Sequence, residues 1–307
     1  MNNNTTNPLL CDPASGVCEI PGTGKSESVE KILSKNKPVK ITYFTDPICS
    51  SCWGIEPQLR KLKLEYGDYV EIDYRMGGLL PDWSYNSGGI SQPSDVARHW
   101  EEASLYYQMP ISGDVWIEDP LASSYPPSIA FKAAQMQDKD KAVVFMRELR
   151  ELLFIEKKNI TRWDIIVKAA AYAGLDTFKL KEDFEGNAQK AFDEDLAFCR
   201  KSGVRGFPTL FFADDKGNQI ILYGSKPYDD FESALNRIVP NAKKKKIDTH
   251  SPLSLFSYYA TLTPKEYALL ANTTLQQAME ELDKLVSDNK LQKQTIKTGS
   301  IYQVKTL

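Results

Sequence analysis

The sequence of 307 residues is poor in several features that common protein functions require. It contains two histidines and five cysteines, its formal net charge is −3, and no apolar run reaches the ~18 residues of a membrane span. Scarce histidine argues against a histidine-built metal site, and a nearly neutral chain offers no electrostatic reason to bind nucleic acid or an acidic membrane. Five cysteines are too few for a disulfide scaffold. We therefore expect no metal, no cofactor, no nucleic-acid partner and no membrane association.

The N-terminal segment lacks the features of a secretion signal. "MNNNTTNPLLC" has no basic residue and no apolar stretch, and the first lysine is Lys25. We therefore predict a cytoplasmic protein, whose cysteines serve chemistry or packing. Cys11 and Cys18, in "CDPASGVC", are a candidate second redox pair, with a contribution to a metal site or no role as the alternatives. Cys199 lies on an apolar helical stripe and is predicted to be a core residue.

Two strand patterns and one helix pattern open the main part of the chain. "VKITYFTD" (39–46) is rich in β-branched and aromatic residues, and "YVEIDYRM" (69–76) alternates, so each predicts a strand. The segment 50–66 predicts a helix, because its apolar residues recur at helical spacing. This strand–helix–strand order predicts a parallel pair of strands. Further on, "TLFFADD" and "QIILYGS" flank the turn "DDKGN" and predict a hairpin, followed by one more helix.

The remaining patterns predict an α/β fold that is interrupted by a helical block. Helical stripes such as "KAVVFMRELRELLFI" fill the middle of the chain, and "PNAKKKKIDTH" changes composition as a linker does. The last segment has two helix patterns and two short strand patterns, typical of a winged-helix-like module. The predicted divisions are a flexible N-terminal tail with a cysteine pair (1–37), an α/β core (38–91 and 201–240), an inserted helical domain (92–200), a linker (241–250) and a winged-helix-like module (251–307).

The stretch "TDPICSSCWG" places Cys49 and Cys52 where a predicted strand ends and a predicted helix begins. A zinc knuckle needs a second pair at similar spacing, which the sequence lacks, and the cytoplasm disfavours a structural disulfide. The pair therefore predicts a dithiol–disulfide switch. Free N–H groups at the start of the helix would stabilise a Cys49 thiolate, and Cys52 would resolve the mixed disulfide. Asp46, three residues earlier, is predicted either to tune the pair or to have a structural role.

The second half of the predicted site is "VRGFPT". A proline that follows this glycine and precedes a strand is compatible with a cis bond between Phe207 and Pro208, with an ordinary trans turn as the alternative. The loop would lie over the sulfur pair and leave the Phe207 backbone free to pair with a substrate strand. We also predict substrate-binding roles for Ser50, Ser51 and Trp53, beside the pair in sequence.

These motifs together resemble a known family. "DPICSSCW", "VRGFPT" and the helical block between them are similar to the DsbA-like branch of the thioredoxin superfamily. "MGGLL", "WIEDPLASSYPPSIAFKAAQ" and "LFIEKKNIT" resemble its cytoplasmic subgroup, which contains FrnE-type thiol oxidoreductases and the bacterial adaptor that delivers the regulator Spx to the ClpXP protease. The resemblance covers about residues 38–240. It implies a thioredoxin fold with a helical insertion, Cys49 as nucleophile, Cys52 as resolving thiol and Pro208 as cis-proline.

Two functions follow as hypotheses. The first is a protein thiol–disulfide oxidoreductase or isomerase that acts on protein disulfides or small thiols through Cys49 and Cys52. The alternative is a cytoplasmic adaptor that binds a client for regulated proteolysis through the helical insertion or the C-terminal module. An intact cysteine pair favours the enzyme, since binding alone does not need two cysteines, whereas the appended module favours the adaptor. The dipeptide Ser50-Ser51 assigns no direction of electron flow.

Overall fold

The computed structural model describes residues 11–12, 17–19, 37–84 and 90–305. In chain order its elements are β1 (Cys11–Asp12), β2 (Val17–Glu19), β3 (Val39–Thr45), α1 (Ser50–Gly54), α2 (Glu56–Tyr66), β4 (Val70–Met76), α3 (Pro93–Tyr107), α4 (Val115–Glu118), α5 (Tyr125–Gln137), α6 (Lys139–Phe154), α7 (Trp163–Tyr172), α8 (Thr177–Glu185), α9 (Asn187–Lys201), β5 (Gly206–Phe207), β6 (Thr209–Ala213), β7 (Gln219–Tyr223), α10 (Tyr228–Ile238), a 3₁₀ turn (Ser254–Ser257), β8 (Thr261–Leu262), α11 (Pro264–Ala271), α12 (Leu275–Ser287), β9 (Leu291–Ile296) and β10 (Gly299–Val304). Among the helices of these ranges, none combines the length and the apolar character needed to cross a membrane.

Four strands form the central sheet, in the order β4, β3, β6, β7. Strand β3 runs parallel to β4 and antiparallel to β6, which in turn is antiparallel to β7. Residues 41–45 of β3 are all buried, as expected for an inner strand that is covered on both faces. The predicted α/β core is therefore confirmed, with the two first strands within one residue of their predicted bounds.

The predicted helix over 50–66 is two helices, which meet at Ile55. Pro57 lies in the first turn of α2 and has no N–H with which to continue the hydrogen-bond ladder of α1. The break separates the short helix α1, which follows Cys49 and contains Cys52, from the longer helix α2.

The helical insertion, α3 to α9, leaves the sheet after β4 and returns beside it. Asp195 on α9 is fully buried and accepts hydrogen bonds from the Met76 N–H at 3.0 Å and from Arg75 Nη1 at 2.9 Å. Lys132 on α5 lies 2.8 Å from the same carboxylate. One buried carboxylate thus joins two helices of the insertion to the edge strand of the sheet.

The C-terminal module consists of α11, α12 and a sheet in the order β8, β10, β9, around its own apolar core. Two helices followed by a hairpin is the predicted order, and the winged-helix likeness stays a prediction. The module packs on α2, where Arg60 Nη1 donates to the Thr261 carbonyl and Lys61 Nζ donates to the Leu269 carbonyl, both at 2.8 Å. Core and module are therefore in direct contact.

Glu266 on α11 connects all three parts of the chain. Its buried carboxylate lies 2.7 Å from Arg147 Nη1 of the insertion and 3.1 Å from Arg60 Nη1 of the core. It also accepts the Thr263 N–H at 2.8 Å, within the capping box that begins α11. Burial alone would raise the pKa of Glu266, but Arg147 and Arg60 outweigh it and hold that pKa below its ordinary value.

Candidate functional site

The candidate site lies where β3 ends and α1 begins. In the connecting turn the Cys49 N–H donates to the Asp46 carbonyl at 3.2 Å, and Cys49 then caps α1. The sulfur of Cys49 accepts the Cys52 N–H at 3.1 Å, and the two cysteines are joined by a disulfide. The pair therefore sits at the predicted strand-to-helix junction. The roles of Cys49 as nucleophile and Cys52 as resolving thiol stay predictions.

The loop before β6 lies beside this junction. The peptide bond between Phe207 and Pro208 is cis. The next residue, Thr209, pairs with Phe44 near the end of β3, so Pro208 reaches the same edge of the sheet as the turn that leads to Cys49. A Cβ atom on Gly77 would lie 1.7 Å from the Phe207 ring, and hence only glycine leaves space for that ring.

The backbone beside Pro208 is already paired. Strand β2 runs antiparallel to β5 with Cys18 opposite Phe207, and β1 runs antiparallel to β2 with Cys11 opposite Cys18. This differs from the predicted Phe207 backbone that is free for a substrate strand. It also differs from the predicted flexible tail (1–37) at residues 11–12 and 17–19, and the rest of that tail up to residue 36 lies outside the described residues. The physical reason is that an exposed strand edge offers unpaired N–H and C=O groups, which a nearby extended segment can satisfy. The run "GVCEIPG", apolar residues bounded by glycine and proline, was the available signal.

Asp46 supports the site from within. Its fully buried carboxylate accepts hydrogen bonds from the Ile48 N–H at 3.1 Å, the Leu79 N–H at 2.8 Å and the Ser124 hydroxyl at 2.9 Å. Burial raises the pKa of Asp46 to about 6, although these hydrogen bonds oppose the shift. Asp46 therefore fixes the turn before Cys49 and can change its protonation state near neutral pH.

The three predicted substrate-binding residues Ser50, Ser51 and Trp53 are all buried in α1. The hydroxyls of Ser51 and Tyr107 share a hydrogen bond of 2.7 Å, and the Trp53 indole N–H donates to the Pro110 carbonyl at 3.1 Å. These contacts attach α1 to the insertion. The structure thus brings the three residues together with the disulfide but places Trp53 in the interior, and their roles toward a substrate stay predictions.

Arg150 is a residue of the site that the sequence reading missed. Its side chain, 1% exposed, donates from Nη2 to the Thr45 hydroxyl at 2.8 Å and to the Asp46 carbonyl at 3.3 Å. Its Nη1 lies 3.2 Å from Glu56 on α2. A buried arginine therefore holds the end of β3. It lies about 100 residues later in the chain on a helix, where no local pattern separates it from neighbouring arginines.

The fifth cysteine is not part of the site. Cys199 is a buried free thiol, as predicted, and burial raises its pKa to about 12. Its thiolate is therefore too scarce at neutral pH for disulfide exchange. Over the described residues, no three His, Cys, Asp or Glu side chains form a group that could hold a metal ion.

A groove of about 320 Å³ opens where core, insertion and C-terminal module meet. Arg60 and Arg147 line it, together with the exposed apolar side chains of Val144, Tyr172 and Tyr258. Among the described residues, no cysteine lines this groove. The chain therefore has a concave surface that is separate from the buried disulfide.

The family profile described as Thioredoxin matches residues 43–233, which is more than half of the chain and includes both halves of the site. This chain belongs to the thioredoxin family. Among solved structures it resembles the cytosolic disulfide reductase DsbM from Pseudomonas aeruginosa, with a TM-score of 0.53 and 20% identity over 66% of this chain and 98% of that one. The likeness to DsbM concerns the fold.

Relatives of this chain also match outside residues 43–233. The chain is 33% identical over 306 residues to the ClpXP adapter protein SpxH of Halalkalibacterium halodurans, which covers 97% of each chain. It is 30% identical over 275 residues to SpxH of Bacillus subtilis, covering 87% of this chain and 89% of that one. At 97% coverage, the first match must include the C-terminal module.

Proposed function

We propose that this chain is an adapter that brings a client protein to the ClpXP protease. The observation that carries the proposal is the similarity to relatives named ClpXP adapter protein SpxH over nearly the whole length of both chains. A function confined to the cysteine pair would not require the C-terminal module, whereas an adapter needs surfaces held in a fixed relation. The buried junction of Glu266 with Arg60 and Arg147 provides such a connection. The adapter function, which was the alternative hypothesis from the sequence alone, is therefore our first proposal.

The state of the disulfide also supports the adapter. Cys49 and Cys52 are both fully buried, and strand β2 occupies the backbone edge next to Pro208. An enzyme that exchanges disulfides with successive external substrates needs access to its nucleophilic sulfur. A binding protein has no such requirement.

The C-terminal module favours a protein partner over DNA. Glu280 and Glu281 on α12 and Asp288 directly after it are exposed, and α12 is the helix that a winged-helix DNA binder would place in the major groove. Their carboxylates would repel phosphates, where a DNA binder uses Lys and Arg to release counterions.

Degradation of purified Spx by purified ClpXP tests the adapter function. We expect substoichiometric amounts of this chain to accelerate loss of Spx, since an adapter is released after each delivery. The matched variant Cys49→Ser with Cys52→Ser should accelerate it as well, because delivery needs binding surfaces and no exchange. Unchanged degradation in the presence of the wild-type chain would overturn the proposal.

Thiol–disulfide exchange is the second candidate function, favoured by the position of the Cys49–Cys52 disulfide at the N-terminus of α1. In the reduced state, Cys49 would attack a substrate disulfide, with the Cys52 N–H stabilising its thiolate, and Cys52 would then resolve the mixed disulfide. The Cys52→Ser variant should trap mixed disulfides through Cys49, while Cys49→Ser should abolish exchange. Cys199→Ser is the matched control and should behave as the wild type. Equal activity in the Cys49 and Cys52 variants would contradict the assignment.

A further inference from the structure

The N-terminal cysteines lie on the strand that occupies the edge beside Pro208. The sheet order is β1, β2, β5, with Cys18 of β2 directly opposite Phe207 of β5. Cα atoms of β2 also lie within 8 Å of Cα atoms of α1, the helix that Cys49 caps. An extended peptide that adds a strand to a sheet edge is a common mode of peptide recognition. Here the added strand is part of the same chain and contains a cysteine.

The register also suits Cys11 and Cys18 to pairing with each other. They are directly opposite in an antiparallel pair, so their Cα atoms are about 4.5–5.5 Å apart. A disulfide requires Cα atoms about 4.4–6.8 Å apart. The backbone therefore places two cysteines at disulfide spacing on a strand adjacent to a second disulfide.

We propose that the β1–β2 hairpin is an internal substrate strand, and that its Cys11/Cys18 pair exchanges a disulfide with the Cys49/Cys52 pair. The inference rests on the exchange chemistry of Cys49 and Cys52, the second function proposed above. It does not depend on the adapter function.

The exchange needs no reagent from outside the chain. The Cys18 thiolate attacks the sulfur of Cys49, the Cys18–Cys49 bond forms and the Cys49–Cys52 bond breaks, which releases the Cys52 thiolate. The Cys11 thiolate then attacks the sulfur of Cys18, the Cys11–Cys18 bond forms and the Cys49 thiolate leaves. Two electrons pass from the tail pair to the Cys49/Cys52 pair, and the two protons of the tail thiols go to Cys49 and Cys52. The reverse sequence uses the same bonds.

Tethering gives the internal strand an advantage over external thiols. Cys18 lies 31 residues before Cys49 in the same chain. A cysteine tethered to its target in this way acts at an effective concentration on the order of millimolar. Protein substrates at micromolar concentration would therefore compete poorly with Cys18. Strand β2 would then act as the redox partner of Cys49 in preference to an external thiol.

Two full-length variants with matched cysteines test the proposal. The first carries Cys11→Ser and Cys52→Ser and keeps Cys18 with Cys49. The second carries Cys18→Ser and Cys52→Ser and keeps Cys11 with Cys49. Both are reduced and then treated with oxidised glutathione, and their disulfides are mapped by mass spectrometry of non-reduced peptides.

We expect the first variant to form an intramolecular Cys18–Cys49 bridge with release of glutathione, at a rate unchanged when the protein is diluted a hundredfold at constant oxidised glutathione. The second should form a Cys11–Cys49 bridge at least about tenfold more slowly. The reason is that β1 lies one strand spacing, about 4.8 Å, further from β5 than β2 does. Cα–Cα distances in disulfides run only from about 4.4 to 6.8 Å, a range narrower than this spacing.

The other outcomes overturn the proposal in distinguishable ways. A stable Cys49–glutathione adduct without a Cys18 bridge would exclude the internal exchange but leave the exchange chemistry of Cys49 standing. An unmodified Cys49 in both variants would exclude both. Equal bridging by Cys11 and Cys18 would show that the register of the hairpin does not direct the reaction.

Discussion

Replacing Glu266 by glutamine tests whether the C-terminal module and the rest of the chain unfold as one unit. The Glu266 side chain is 0% exposed and lies between Arg60 of the core and Arg147 of the insertion. Glutamine has nearly the same volume but carries no charge. It therefore removes the electrostatic connection while it leaves the packing in place.

The expected loss follows from the charges around Glu266. Three arginines and three glutamates form the buried network, so it is neutral: Arg60, Arg147, Arg150, Glu56, Glu151 and Glu266. The substitution leaves one uncompensated buried positive charge. Removing one partner of a buried ion pair costs about 3–5 kcal/mol. Since the glutamine oxygen can still accept the Thr263 N–H, we expect the lower end, about 3 kcal/mol.

Urea unfolding followed by two signals measures this loss. All five tryptophans, of which Trp163 is the last, lie in the core and the insertion, so tryptophan fluorescence follows the unfolding of these two parts, whereas far-UV circular dichroism follows the whole chain. Arg147 lies over the Trp53 ring, 4.3 Å from its centroid, so only the midpoints of the two transitions are compared and not the fluorescence amplitude. If the junction couples the parts, both transitions should shift to lower urea by the same free energy. Glu280→Gln on the exposed face of α12 is the matched control and should change stability by less than about 0.5 kcal/mol.

Two results would refute this reasoning. A loss below about 1 kcal/mol in both signals would mean that Glu266 makes no net contribution through its two arginines. A shift in circular dichroism with unchanged tryptophan fluorescence would mean that the module unfolds independently of the core.

Three further predictions concern the site and its surroundings. Burial raises the pKa of Asp46 from 3.8 to about 6, so the Asp46 carboxyl binds its proton more tightly in the folded chain than in the unfolded chain. The free energy of unfolding should therefore fall by up to about 3 kcal/mol as pH rises from about 4 to about 7. Asp46→Asn should flatten that part of the pH profile of urea unfolding, and identical profiles would contradict the assignment. Cys199 should resist alkylation by iodoacetamide in the folded protein and react only after denaturation, because burial keeps its thiol protonated. Rapid labelling of Cys199 without urea would contradict its burial as an unreactive thiol. Gly77→Ala should displace the Phe207 ring and destabilise the protein by about 1–3 kcal/mol through overpacking, and an unchanged melting temperature would argue against the close contact.

Much of the core could be predicted from local patterns in the sequence. The apolar run that became β3 and the alternating run that became β4 each specify a strand through their own side chains, whatever they pair with. The position of Cys49 followed from the end of one pattern and the start of the next. Fold and junction could be predicted because each depends on residues close together in sequence.

The rest depends on contacts between distant residues. Strand β2 has three residues, too few for a periodic pattern, so the run "GVCEIPG" indicates an extended segment at most. Its pairing with β5, about 190 residues later, cannot be predicted from that run. The ion pair of Arg147 with Glu266 spans 119 residues, and each partner lies on a helix with other charged residues. Trp53 is predicted to bind substrate because it lies beside the cysteines in sequence, and only the position of the Pro110 carbonyl shows that its indole N–H is hydrogen-bonded within the fold.

The interrupted sheet has a consequence for the order in which the chain folds. Strand β3 must wait for β6, since Phe44 pairs with Thr209 about 160 residues later. At a synthesis rate of about 5–20 residues per second, the edge of β3 stays unpaired for roughly 8–30 s. An insertion that folds within this interval brings Asp195 beside Arg75 and Met76, at the edge of β4. A loop of about 160 residues is thereby shortened to the few between α9 and β6, and the entropy lost in closing it falls accordingly.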